Sequence, residues 1–152
     1  MKIAIGADHA GYELKKLVGE LLVKLGHTVV NMGTDGPEAV DYPDYAKKVA
    51  QAVAGKQADR GILVCGSGVG ACVAANKVPG VRACLCHDTF SARQGVEDDD
   101  VNVLCLGGRV IGQELAYDVV RAWLNAKFSN AERHVRRLNK VIAIEKEFSR
   151  GS

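Results

Sequence analysis

No charge of one sign dominates this chain: 20 lysines and arginines stand against 18 aspartates and glutamates, a formal charge of +2. That balance excludes whole-surface attraction to nucleic acid as an organising feature. No apolar run approaches the ~20 residues that a membrane-spanning helix needs. The first residues, MKIAIGADHAG, enter a strand at once, without a charged-then-apolar leader. The five cysteines make no CxxC pair and no zinc-finger spacing, and His9, His27, His87 and His134 have no spacing typical of a zinc site. A cytoplasmic, thiol-reduced protein with no metal, no cofactor and no nucleic-acid or membrane partner is therefore expected. Tandem repeats, low-complexity tracts and linkers are missing too, so residues 1–152 are expected to form one domain.

What is present centres on Gly61 to Gly80, GILVCGSGVGACVAANKVPG. Ile62, Leu63, Val64 and Cys65 read as a buried parallel strand, which breaks into Gly66-Ser67-Gly68-Val69-Gly70 before a small-residue helix. Outward-pointing amides and a helix N-terminus in such a turn suit an oxyanion or a phosphate. Cys65 stands at its mouth, where those amides favour a thiolate. Glycine turns after buried strands are common, however, and buried cysteines usually act as small hydrophobes.

The flanking segments repeat one pattern. Lys2 to Ala7 reads as a strand ending in Asp8-His9, and Leu14, Leu17, Val18, Leu21, Leu22 and Leu25 fall at helical spacing. A second strand spans His27 to Met32, and Pro43 suits the first turn of a helix through Tyr45 to Val53. A fourth strand, Val81 to Cys86, ends in His87-Asp88, and Cys84 and Cys86 on it face one side of the sheet. Helix from Ser91 to Glu97, strand from Val101 to Leu106 ending near Arg109, and helices near 113–127 and 130–148 complete the chain. Residues 149–152 should fray. The alternation predicts an α/β fold: a three-layer α/β/α, Rossmann-like or flavodoxin-like, five-stranded parallel sheet with an additional C-terminal helix. Ligands bind such sheets at the carboxyl ends of the strands. Polar residues gathered there, on several separate strands, are hard to explain as packing.

Familiar motifs fit poorly. Gly66 and Gly68 match a dinucleotide fingerprint, but its third glycine is Ala71, and Asp88 is only roughly placed for a ribose. A cysteine phosphatase needs an arginine where Ala71 stands, and no Walker loop is present. Arg133 and Arg137, four apart, lie on one helical face and suit a phosphate dianion; taken alone they are better explained as a solvated basic face, and the anion turn elsewhere is what gives the phosphate reading its ground.

Six stretches together carry a resemblance: GADHAG (6–11), DYPDYA (41–46), VCGSGVG (64–70), AANKVPG (74–80), NVLCLGGRVIG (102–112) and RHVRR (133–137). The chain resembles the type B ribose-5-phosphate isomerases and their relatives, which include galactose-6-phosphate isomerase. The resemblance implies metal-free interconversion of an aldose phosphate and a ketose phosphate through a cis-enediolate. It also implies a homodimer or a tetramer with active sites at the subunit interface. By motif position, Cys65 resembles the general base. The amides of Gly66, Ser67, Gly68 and Gly70 would hold the enediolate oxygen, with the Ser67 hydroxyl assisting proton transfer. Asp8 and Tyr42 would orient sugar hydroxyls; His9, Arg109, Arg133 and Arg137 would grip the phosphate, the helical arginines coming from the neighbouring subunit.

One position departs from the pattern. Where many relatives carry the histidine that opens the furanose ring, this chain has Asp98-Asp99. Asp98 or His87 then takes over ring opening on ribose 5-phosphate, unless the substrate is a tetrose phosphate that needs no such group. His87-Asp88-Thr89 resembles the tetrose-phosphate branch, whereas GADHAG and RHVRR resemble the ribose branch. A non-catalytic module for a phosphorylated sugar or nucleotide is the reading from another class.

Overall fold

The computed structural model describes residues 1–149. Five strands alternate with helices in the order β1 (Lys2–Ala7), α1 (Tyr12–Lys24), β2 (Thr28–Asn31), α2 (Tyr42–Ala54), β3 (Arg60–Cys65) and α3 (Val69–Ala75). There follow β4 (Ala83–Leu85), α4 (Thr89–Asp99), β5 (Val103–Gly107), α5 (Gln113–Asn125) and α6 (Glu132–Phe148). All pairings are parallel, in the order β2-β1-β3-β5-β4. β4 thus takes the edge and β5 inserts beside β3, an exchange of the last two strands relative to the flavodoxin order.

Right-handed crossovers then decide which face each helix covers. The steps β1 to β2 and β4 to β5 run one way along the sheet, and the steps β2 to β3 and β3 to β4 run the other. Accordingly α1, α4 and α5 pack on one face, around Leu22, Val96 and Trp123, while α2 and α3 pack on the other, around Val49, Ala71 and Ala75. Residues of both faces of β3 and β5 are buried, which is why these strands read as continuous apolar runs rather than alternating ones.

Several boundaries move from their expected places. α2 begins at Tyr42, three residues early, and keeps Pro43 in its first turn. β4 shrinks to three residues, because an edge strand has one neighbour to hold it. Cys84 and Cys86 nevertheless lie toward the same α1/α4/α5 core. α4 extends through Asp99, so Asp98 and Asp99 are helical rather than loop; Asp100 caps the helix in the left-handed region and pairs with Arg82 at 3.1 Å. Ser149 closes α6, its N–H donating to Glu145 O at 2.9 Å, whereas the rest of the fraying expected for the tail falls on 150–152, outside the described residues.

Gly19, inside α1, has nothing within 4 Å of where a Cβ would stand. Gly19→Ala should therefore raise the melting midpoint, stabilising the protein by about 0.5–1 kcal/mol through helix propensity. Calorimetry of the variant checks this; a lowered midpoint would mean that the open face of α1 is occupied in solution.

Candidate active site

The central strands β1, β3 and β5 end side by side, and each delivers a polar segment to the same place. From β1 the chain turns sharply through Asp8, whose Oδ1 accepts from Ala10 N at 3.0 Å and Gly11 N at 3.1 Å. One carboxylate oxygen is spent on holding this turn, leaving the other for a ligand hydroxyl. Gly11 is required there: a Cβ would overlap the Val64 carbonyl of β3. His9 Nδ1 accepts from Val40 N at 3.1 Å, so its proton rides on Nε2.

From β3 comes the glycine turn. Cys65 is buried at the end of the strand, and Gly68 N–H donates to its Sγ at 3.2 Å. Gly68 adopts φ +82°, the left-handed conformation that folds its amide back over the thiol. The Gly68 amide is bonded to the Cys65 sulfur, which leaves the amides of Gly66, Ser67 and Gly70 to face a substrate oxygen. The Ser67 hydroxyl accepts from Val69 N at 3.2 Å and keeps its own proton to donate. Tyr42, at the start of α2, fills the space in front of Gly70; a Cβ on that glycine would sit 2.6 Å from its Cε1.

From β5, Gly108 N donates to Cys65 O at 2.8 Å and Arg109 N to Gly66 O at 3.0 Å, which ties the two loops together. The Arg109 guanidinium lies over Gly66, its Nη1 3.6 Å from the ideal Cβ position there. His87, following β4, accepts from Gly107 N at its Nε2, 2.9 Å away. Its free proton is thus on Nδ1. Asp8, His9, Tyr42, the 65–70 turn, His87 and Arg109 are therefore gathered as the sequence suggests. Behind the turn, the Cys105 thiol brings the Cys72 thiol down to about 7 against the effect of burial, with the Leu85 backbone assisting.

Asp98, Asp99, Arg133 and Arg137 are not gathered with them. Asp98 and Asp99 end α4 and precede β5, whose first residue pairs with Gly61 and whose last pairs with Cys65. The length of β5, roughly 13 Å at ~3.3 Å per residue, therefore separates them from the thiol within one protomer. α6 lies at that far end: Ser129 N donates to Glu97 O, and Glu145 Oε1 accepts from Gly80 N ahead of β4. Arg133 and Arg137 are exposed on it. Between them His134 is buried, with Nε2 3.4 Å from Asp98 Oδ1 and Nδ1 in contact with Ser129 Oγ. The signal in the sequence for an inward-facing His134 is its spacing four residues before Leu138, on the buried stripe of α6.

The ribose/galactose isomerase family model matches residues 3–141. The chain is 47% identical to ribose-5-phosphate isomerase B of Escherichia coli over 144 residues, 95% of this chain and 96% of that one. It is 45% identical to the D-erythrulose-4-phosphate isomerase of Pectobacterium atrosepticum over 129 residues, 84% of this chain and 85% of that one. Among solved structures, ribose-5-phosphate isomerase B of Clostridium thermocellum superposes with a TM-score of 0.95 at 49% identity, covering 97% of this chain and 99% of the other. A non-catalytic binding module is thereby set aside. With its sheet, its thiol and its glycine turn in the arrangement described, the chain belongs to the ribose/galactose isomerase family and is a sugar-phosphate isomerase.

Proposed function

We propose that this isomerase interconverts ribose 5-phosphate and ribulose 5-phosphate through a cis-enediolate, with Cys65 as the base that carries the proton between C2 and C1. The supporting observation is the Cys65 Sγ held by Gly68 N at 3.2 Å beside the first-turn amides of α3. A carbon acid next to a carbonyl needs a base at the carbon and fixed donors at the oxygen that becomes negative. Cys65 and the amides of Gly66, Ser67 and Gly70 supply both from one turn. The Ser67 hydroxyl moves the proton between O1 and O2, Asp8 and Tyr42 orient the sugar, and His9 Nε2–H and Arg109 receive the phosphate.

The site takes Asp98, Asp99, Arg133 and Arg137 from a second copy in a homodimer. Two observations support this. These residues stand at the wrong end of their own sheet, and exposed apolar side chains cover the surfaces between: Val69 and Val73 on α3, Leu85 on β4, Val141, Ile144 and Phe148 on α6. A groove of about 780 Å³ beside α6, lined by Val81, Leu138, Val141 and Phe148, holds neither nucleophile nor amide nest and suits a subunit contact better than a substrate. Asp98, or His87 through the proton on its Nδ1, opens the ring. All five cysteines are free, as suits action in the reducing cytoplasm.

Mixing subunits tests the sharing. Cys65→Ala and Arg137→Ala homodimers should each be nearly inactive, while refolding them together should restore about a quarter of wild-type activity through one intact site per heterodimer. No recovery would place all catalytic groups in one protomer. A tetrose phosphate is the second reading, favoured by the similarity to the erythrulose-4-phosphate enzyme. Erythrose 4-phosphate has its 4-hydroxyl esterified and closes no furanose, so Asp98→Asn should slow turnover of ribose 5-phosphate while sparing erythrose 4-phosphate. Wild-type turnover of the tetrose that exceeds the pentose by a wide margin would replace the ribose assignment.

A further inference from the structure

α1 carries a lysine where its buried stripe calls for an apolar residue. Lys15 lies one turn after the Asp8–Gly11 segment and is 4% exposed, flanked by buried Leu14 and Val18. An ammonium is costly to bury unless its donors are matched. Two of its three donors are matched here: Nζ donates to Asn31 Oδ1 at 2.8 Å and to Asp35 Oδ1 at 2.8 Å, and Asn31 Nδ2 donates to the same Asp35 oxygen at 2.7 Å. Lys15 and then Asn31 hold the Asp35 carboxyl below its ordinary range. A methionine would fill the apolar space equally well, so packing alone does not explain the charge.

What the three side chains fasten is the loop between β2 and α2. Asn31 Oδ1 also accepts from Gly33 N at 2.9 Å, and Gly33 and Thr34 exchange backbone hydrogen bonds with Ala7, the residue before Asp8, at 2.8 Å each. The far end of the same loop supplies the Val40 N–H that fixes His9, and two residues later comes Tyr42 against Gly70. We propose that Lys15, Asn31 and Asp35 form a clamp that sets this loop and thereby aims His9 and Tyr42 into the active site, making Lys15 a positioning residue for turnover. The assignment rests on the proposed substrate-binding roles of His9 and Tyr42. The clamp acts on binding geometry and leaves the thiol chemistry alone: its members touch the loop, and none reaches the 65–70 turn.

The test uses Lys15→Met and Asp35→Asn in the full chain, with steady-state kinetics on ribose 5-phosphate and amide hydrogen exchange at Val40. Lys15→Met should raise KM about tenfold with kcat reduced less than threefold, and Asp35→Asn, which keeps a neutral acceptor, should raise KM about threefold. Val40 exchange should accelerate at least tenfold in the first variant and measurably in the second. A lower melting midpoint with KM and Val40 exchange unchanged would reduce the cluster to a structural contact and overturn the clamp. If Lys15→Met does not fold, Asp35→Asn decides, since Asp35 is exposed and its loss leaves no cavity. Faster Val40 exchange in a protein that turns over neither pentose nor tetrose phosphate would uphold the clamp and reject the substrate assignment.

Discussion

Cys65→Ala is expected to lower kcat for ribose 5-phosphate by about 10²–10⁴-fold, the range typical of a lost general base, with KM changed less than threefold. The split follows from the geometry. The thiol is buried at the floor of the site and is bonded to Gly68 N, while the groups assigned to the phosphate and hydroxyls lie around it on other strands. Alanine removes one sulfur from a small-residue environment, so folding should lose only about 1 kcal/mol. Loss of deuterium exchange at C2 in parallel with kcat would assign the proton transfer to this sulfur. Retention of more than a tenth of wild-type kcat would assign it to another group, and Cys72, whose thiol titrates near 7 behind the same turn, would be the next to replace.

The second large effect is expected from Gly68→Ala, which adds one methyl group to the turn. A Cβ there would stand 2.6 Å from Leu85 Cδ1, 2.9 Å from the Leu106 carbonyl carbon and 3.1 Å from its oxygen, at a φ of +82°. Leu85 is a flexible side chain at the edge strand and can move. The Leu106 backbone belongs to β5, hydrogen-bonded to strands on both sides, and cannot move without opening the sheet. Left-handed strain alone costs about 1–2 kcal/mol, and the backbone contact adds to it, so roughly 2–4 kcal/mol of stability should be lost. Relief comes most cheaply by displacing the turn itself, which carries the Gly68 amide away from Cys65 and the free amides away from the substrate oxygen. A fall in kcat of about 10²-fold is expected, comparable to losing one oxyanion donor. Kinetics at a temperature where the variant remains folded separate the two effects. Unchanged kcat with reduced stability would show that this amide does not serve catalysis.

Much of the site was legible in the chain because its parts are local. A strand that ends in a thiol, the five glycine-rich residues 66–70 and a small-residue helix read as a turn suited to an anion whatever surrounds them. Asp8 and Arg109 likewise follow directly on apolar runs that only a buried strand explains. His134 was not legible: its placement beside Asp98 depends on how α6 lies against α4, a contact between segments 36 residues apart. The same holds for Lys15, whose ammonium is met by Asn31 and Asp35 from a segment beyond α1.

The sequence by itself determined the repeating strand-helix units, the polar loops at the carboxyl ends of the strands, and a resemblance carried by six separate stretches, because periodicity and turn chemistry act over a few residues. Tertiary structure alone decided the order β2-β1-β3-β5-β4, which places the ends of β1, β3 and β5 side by side and sends β4 to the edge. It alone decided that the Gly68 amide goes to sulfur and the Val40 amide to His9. It also set Arg133 and Arg137 at the opposite end of the sheet from Cys65. The physical reason is that strand order and hydrogen-bond partners are chosen among arrangements with the same local energy, and only the packing of distant segments distinguishes them.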